Sequence, residues 1–210
     1  MTQELMTRIE KGIQYREMQM RAADTDSMVV EGYATTFNQP YVLWEDDEMR
    51  IMEAVDSRAF EGADMSDVIM QYDHRGHVFA RIRNNTLNVR TDETGLFISA
   101  DLGGTEIGRQ LYQEIKGGYT DRMSFAFTVT DEDVDRRKEG NTLLVTRTIK
   151  RIGKLYDVSA VSVPANDGTS ISARSFRDGI IQKEHEEAML KAAEERTRKL
   201  IALKLRLLEV

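Results

Sequence analysis

Most of the chain alternates between apolar and polar positions with a period of two, the pattern of β-strands that have one buried face. Turn-forming Gly, Asn, Asp and Pro residues separate these segments. The pattern predicts about seven or eight strands, at residues 28–37, 68–72, 78–82, 87–102 (a hairpin around "DETG"), 122–130, 142–149 and 155–163. Short strands joined by hairpin loops favour a closed or nearly closed barrel, whereas a parallel α/β fold needs regular alternation of strands and helices.

Two segments have the helical period instead. Within residues 103–118, apolar residues recur every four positions, Thr105 can cap the first turn and a Gly–Gly pair can end the helix. From about residue 176 the sequence consists of helix formers without proline, and its apolar stripe predicts a long amphipathic helix. A short helix is predicted at residues 56–60, and charged loops are predicted at "WEDDE" and "DEDVDRRKEGN".

These patterns divide the chain into three parts. Residues 1–25 are predicted to be a flexible N-terminal segment with a weaker strand pattern at 13–20, residues 26–175 a mainly β domain of the α+β class, and residues 176–210 a helical tail. The length of 210 residues suits one ordinary domain with an appendage. An uncompacted tail would also explain the slightly low apolar content, 40%, and the slightly high charged content, 31%.

Composition excludes several kinds of chemistry. The chain has no cysteine, so it has no disulfide, thiolate nucleophile or cysteine metal ligand, and a reducing cytoplasm is the simplest environment. The net charge of −7 argues against direct binding of nucleic acid, which needs clustered Lys and Arg. The N-terminus lacks the apolar stretch of a signal peptide, and no window reaches 18 apolar residues, so we expect no membrane span.

The chain has only three histidines, and two of them end the apolar run "VIMQYDHRGH". His74 and His77 lie three residues apart and could share a metal ion, but Asp73 is the only obvious further ligand and spacings such as HExxH are absent. We therefore expect no metal. His185 lies in the helical tail, where solvation is its expected state. A histidine at a strand end is more often a surface or satisfied core residue than a functional one.

Among the hydroxyl and carboxyl groups, Ser124 and Asp157 stand out. Ser124 opens the apolar strand "DRMSFAF", and neither GxSxG nor SxxK occurs in the chain. The plain alternative is a strand serine that faces a neighbouring strand. Asp157 interrupts the otherwise apolar strand "LYDVSAVSV". It either points outward to solvent or turns its carboxylate toward an imidazole, orienting the ring and stabilising its protonated form.

Six segments, taken in order, resemble the prohead proteases of tailed bacteriophages, the serine proteases of capsid maturation. The resemblance covers roughly residues 28–175. Its specificity comes from the order and spacing of all six segments, since none of them is decisive alone. They are "VEGYATTFNQPY", "DSRAF", "VIMQYDHRG", "TGLFISADL", "GGYTDRMSFAF" and "LYDVSAVSVPAN".

The resemblance implies a fold like that of the herpesvirus assembly proteases, a β-barrel of about seven strands surrounded by helices. It maps the catalytic histidine onto His74 and the nucleophile onto Ser124. The third position is typically Glu in the family and is Asp157 here, so its carboxylate lies about one C–C bond further back. The herpesvirus relatives use a second histidine there, but His77 lies beside His74 in sequence and does not suit a facing strand. No cofactor is implied.

The same resemblance implies the function. The chain would cleave the scaffolding portion of the phage's capsid proteins, and itself, inside the immature prohead in the host cytoplasm. Its partners would be the major capsid protein and the scaffold region. The tail could pack on helical scaffold segments, self-associate, dock on its own barrel or be removed by self-cleavage. The alternatives are a non-catalytic assembly factor, which Asp157 in place of Glu keeps open, and a fused protease–scaffold with a short scaffold.

Overall fold

A ten-stranded sheet forms most of the chain before residue 162 in this computed structural model, which describes residue 7 and residues 11–23, 27–162 and 167–208. Strands are the main element of the structure, with two helices beside them, so the mainly β class is confirmed. The elements are β1 (Ile13–Ala22), β2 (Val29–Thr36), β3 (Tyr41–Glu45), β4 (Met49–Val55), β5 (Ile69–Tyr72), β6 (Arg75–Arg81), a 3-10 turn (Ile82–Asn84), β7 (Leu87–Thr91), β8 (Gly95–Asp101), α1 (Glu106–Lys116), β9 (Arg122–Glu139), β10 (Thr142–Val161) and α2 (Asp167–Leu208).

The strands pair in the order β3-β4-β10-β9-β1-β2-β8-β7, and β5 and β6 form a branch beside β10. β10 is the central strand because β9 covers one of its edges, while β4 and then β5 pair in parallel with the other. The expected closed or nearly closed barrel of about seven strands is wrong, since the sheet is open and has ten strands. Strands β5, β10, β9 and β1 are neighbours in the sheet, so their side chains can lie on a common face.

The predicted strand boundaries are wrong where polar residues form part of a strand. β9 continues through "DEDVDRRKE", which was predicted to be a loop, because its backbone pairs with β10 and Glu132 accepts hydrogen bonds from the buried Arg147. The strands predicted at 142–149 and 155–163 are one strand, β10, with register shifts between Ile149 and Asp157. Strands β3 and β4 were missed on either side of "WEDDE".

One smaller prediction was also wrong. Residues 56–60 form turns rather than a helix, and Asp56 caps them by accepting a hydrogen bond from the Arg58 backbone N–H at 2.9 Å. The strand predicted at 13–20 is confirmed as β1 (Ile13–Ala22), which lies between β9 and β2 within the sheet. The rest of residues 1–25 lies largely outside the described residues.

The main core lies on one face of the sheet. Alternate residues of β9, namely Met123, Phe125 and Phe127, are fully buried in it, as the period of two requires. Helix α1 packs on this core through Leu111, Tyr112 and Ile115. The helix forms where the fourfold spacing predicted it, and the Thr105 side chain caps it by accepting a hydrogen bond from Gly108 N at 3.0 Å.

A buried ionic cluster joins distant strands of the sheet. Glu53 on β4 accepts hydrogen bonds from Arg16 on β1, Arg147 on β10 and the Tyr41 hydroxyl on β3. Both arginine contacts to Oε2 measure 2.6 Å. Burial by itself would raise the pKa of Glu53, but the guanidinium groups of Arg16 and Arg147 outweigh it and lower that pKa to about 2. Glu53 is therefore a buried carboxylate whose charge is neutralised by its partners.

The chain divides between Ser172 and Ala173 into two units, and the second consists of the remainder of α2. The helix has 42 residues, about 63 Å at 1.5 Å per residue, and begins nine residues before the predicted start at 176. Large apolar side chains at Ile181, Met189 and Leu190 are exposed. Within the described ranges, none of the helices has the length and apolar character to cross a membrane.

Candidate active site

His74 lies in the two-residue turn that joins β5 to β6. Tyr72 and Arg75 pair across the turn, and both Asp73 and His74 have positive φ values, 49° and 58°. Positive φ at both central residues is the mark of a type I′ hairpin turn, where Asn-Gly is the usual sequence. This conformation is unfavourable for residues other than glycine, so interactions with the surrounding structure must stabilise the turn.

Hydrogen bonds from the end of β10 hold this turn. The Asp73 N–H donates to the carbonyl of Ala160 at 2.8 Å, and the Asp73 carboxylate accepts from the backbone N–H of Ser162 at 3.0 Å. The Ser162 hydroxyl donates to the same carboxylate at 2.9 Å. Because β10 also carries Asp157, the strand that holds the turn is the strand that provides the carboxylate.

His74 and Asp157 are in direct contact. The ring Nδ1 of His74 lies 2.5 Å from Asp157 Oδ1, and both residues are buried, with exposures of 7% and 1%. With an ionised carboxylate, Nδ1 is the donor, and Nε2 of a neutral ring is then the proton acceptor. The shorter arm of Asp, compared with the Glu that is typical of the family named above, does not prevent the contact. Tyr15 packs edge-on against the imidazole, with the ring centroids 4.6 Å apart.

The strand register places Ser124 on the same face as this pair. One row across β10, β9 and β1 consists of Asp157, Ala126 and Tyr15. The adjacent row, two residues along each strand, consists of Ser159, Ser124 and Glu17. Residues two apart on a strand share a face, and diagonal neighbours in adjacent strands lie about 7–8 Å apart. Ser124 is the diagonal neighbour of Asp157.

The Ser124 hydroxyl is fully buried and makes no hydrogen bond to any residue in the described part of the chain. A hydrogen bond between Ser124 and His74 is therefore not formed in this structure. Buried hydroxyls are normally hydrogen-bonded, so one that is left without a partner calls for an explanation such as a catalytic role. Catalytic hydrogen bonds are often long in the absence of substrate and shorten when substrate binds.

The other two histidines lie elsewhere. His77 is exposed on β6, and His185 is exposed on α2. Sequence reasoning missed Ser159, whose hydroxyl donates to Asp157 Oδ1 at 2.9 Å. The period of two in "DVS" was a signal for it, because it places residues 157 and 159 on one face. Tyr15 had no comparable signal, since only the strand pairing brings β1 next to β9.

A buried histidine–carboxylate pair and a buried serine on the same sheet face are the residue types of a serine hydrolase triad, without the hydrogen bond between serine and histidine. Residues 16–184 of the 210-residue chain match the model of the family described as caudovirus prohead serine protease. The chain belongs to this family, and family membership identifies it as a serine protease with a role in capsid maturation. No significant match was found among curated proteins or among solved structures.

Proposed function

We propose that the chain is a serine endopeptidase in which Ser124 is the nucleophile, His74 the general base and Asp157 the carboxylate that orients the imidazole. The observation that carries this proposal is the buried contact between His74 and Asp157 on the sheet face that also bears Ser124. Membership of a serine protease family supports the reaction class.

The chemistry follows from these positions. The Ser124 hydroxyl attacks the peptide carbonyl carbon while Nε2 of His74 takes its proton, and Asp157 stabilises the imidazolium that forms. The tetrahedral intermediate collapses, the C–N bond breaks, and His74 gives its proton to the leaving amine. Water then attacks the acyl-enzyme ester with His74 again as base, which releases the acid and restores Ser124. Proton transfer by a positioned imidazole is worth roughly 10²–10⁴ in rate.

The substrate is proposed to be the scaffolding portion of the phage's own capsid proteins, together with the protease chain itself. Family membership supports action on capsid proteins inside the assembling prohead in the host cytoplasm. The major capsid protein is then the principal partner. Cleaving the scaffold would clear the interior of the shell for DNA.

Helix α2 is proposed to contact the helical scaffold. Its exposed apolar residues Ile181, Met189, Leu190 and Ile201 support contact with an apolar partner surface. Self-association through the same helix and its removal by self-cleavage are the alternative fates. Cross-linking of assembling shells distinguishes the first two, since a scaffold contact gives cross-links between protease and scaffold, whereas self-association gives cross-links between protease chains alone.

Intact-mass measurement of the purified wild type beside Ser124→Ala tests the activity. We expect the wild type to shorten itself during expression and to cut co-expressed capsid protein, whereas Ser124→Ala stays full length and leaves capsid protein intact. The matched control is Ser99→Ala, a strand serine on β8, which should behave as wild type. Identical masses for wild type and Ser124→Ala, with uncut capsid protein in both, would refute the proposal.

A non-catalytic assembly factor is the second candidate, because Ser124 is fully buried and lacks a hydrogen bond to His74. A peptide carbonyl reaches Ser124 only after covering atoms move aside. If these atoms never move aside, Ser124 does not react with a fluorophosphonate probe even inside assembled shells. That result would support the non-catalytic assembly role.

A further inference from the structure

We propose that Ser159 is a positioning residue of the active site, which acts on His74 through the Asp157 carboxylate. The inference rests on the proposed peptidase function. Ser159 donates its hydroxyl proton to Asp157 Oδ1 at 2.9 Å, and this is the same oxygen that lies 2.5 Å from His74 Nδ1. Two donors thus converge on one carboxylate oxygen.

The position of Ser159 follows from the sheet. It is two residues from Asp157 on β10, so both side chains leave the same face, and it lies directly opposite Ser124 on β9. Ser159 is fully buried, and a buried hydroxyl needs a hydrogen-bond partner to offset its lost hydration. Asp157 is that partner, so the contact fixes the Ser159 rotamer and the orientation of the carboxylate together.

The consequence is electrostatic as well as geometric. A donor on Oδ1 spreads the carboxylate charge and restrains rotation of the carboxylate. Without the Ser159 hydroxyl, more of the negative charge acts on His74, which favours the protonated ring. A base that is already protonated cannot take the Ser124 proton. Loss of the hydroxyl should therefore slow the reaction and move the acid limb of its pH profile to higher pH.

The test measures the rate at which a fluorophosphonate labels Ser124 in each protein as purified, with its length established by intact mass, since this reaction needs the activated serine and no identified peptide. We expect Ser159→Ala to lower the second-order rate constant by about 10- to 100-fold, the range for a hydrogen bond to a charged group. Its acid limb should move to higher pH. Ser99→Ala on β8 is the control and should match wild type in both respects.

A double-mutant cycle tests whether Ser159 acts through Asp157. In the Asp157→Asn background, Ser159→Ala should have little further effect on the labelling rate. A purely structural role would instead give losses that add and leave the acid limb in place. Either an additive loss or an unmoved acid limb would overturn the inference.

The isosteric pair Ser159→Thr and Ser159→Val decides the matter if the alanine variant does not fold. Both add a similar volume to a buried site, but only Thr keeps the donor. Thr should label at least tenfold faster than Val, and equal rates would refute the inference. If wild type itself is not labelled at Ser124, the proposed peptidase function fails. If wild type is labelled and Ser159→Ala matches it, only the inference fails.

Discussion

Replacement of Asp157 by Asn removes one charge and almost no volume from the active site. The carboxylate is 1% exposed, so water has little access with which to replace it, and it faces His74 at 2.5 Å. When His74 takes the Ser124 proton, the new imidazolium is stabilised by this carboxylate in wild type. In the Asn variant it faces a neutral amide.

The expected loss follows from Coulomb's law. Two unit charges about 4 Å apart interact by roughly 4 kcal/mol at an effective dielectric constant of about 20. At about 1.4 kcal/mol per tenfold, this corresponds to a rate about 10³ lower. The Asn side chain can also present its N–H₂ group to the ring and select the wrong tautomer, which extends the expected loss toward about 10⁴.

The assay is fluorophosphonate labelling of Ser124, followed by intact mass, together with the rate of self-cleavage. Asp157→Glu is the matched control, because it keeps the charge and places the residue that is typical of the family at this position. We expect Glu to stay within about tenfold of wild type. If Asn labels within about fivefold of wild type while Ser124→Ala blocks labelling, Asp157 is not part of the catalytic machinery and the triad argument fails.

Four further outcomes are expected. Glu53→Gln should lower the free energy of unfolding, measured by urea titration, by about 3–5 kcal/mol, because the buried Arg16 guanidinium then lacks its carboxylate partner. The control is Glu31→Gln, which removes an exposed ion pair and should lower the free energy of unfolding by under about 1 kcal/mol. Since the pKa of Glu53 is lowered from 4.5 to about 2, its stabilisation is complete above about pH 4.5 and is lost as pH falls toward 2; an equal acid sensitivity in Glu53→Gln would contradict this. Asp73→Ala, which frees the His74 turn from Ser162, should slow labelling about tenfold, and an unchanged rate would remove the turn from the argument. Deletion of residues 176–210 should leave peptidase activity but abolish packaging into shells, so wild-type packaging of the truncated chain would refute the proposed role of the tail.

Local pattern was sufficient for elements whose own residues decide their structure. The fourfold apolar spacing and the Thr105 cap predicted α1, and the hairpin at 87–102 formed as β7 and β8. The long C-terminal helix was predicted from helix-forming residues alone. In each case the interactions that select the conformation lie within a few residues of one another.

Pattern failed where distant partners decide the structure. The polar half of β9 is a strand because β10 pairs with it and Arg147 binds Glu132, and neither fact is visible in "DEDVDRRKE". The sheet is open, in place of the expected barrel, because β3 and β7 at the two ends of the strand order do not pair with each other. Such pairings depend on which strand edges meet in space, so a period of two cannot specify them.

The sequence by itself determined the family and three candidate residues, because the six ordered segments keep the residue types around His74, Ser124 and Asp157. Only the tertiary structure decided that His74 contacts Asp157, that Ser159 binds the same oxygen, and that Ser124 lies on the same face without a hydrogen bond to the ring. The physical reason is that the pairing of β5 and β9 with β10 brings together residues far apart in the chain, 83 positions for His74 and Asp157, whereas sequence motifs describe only neighbours along the chain.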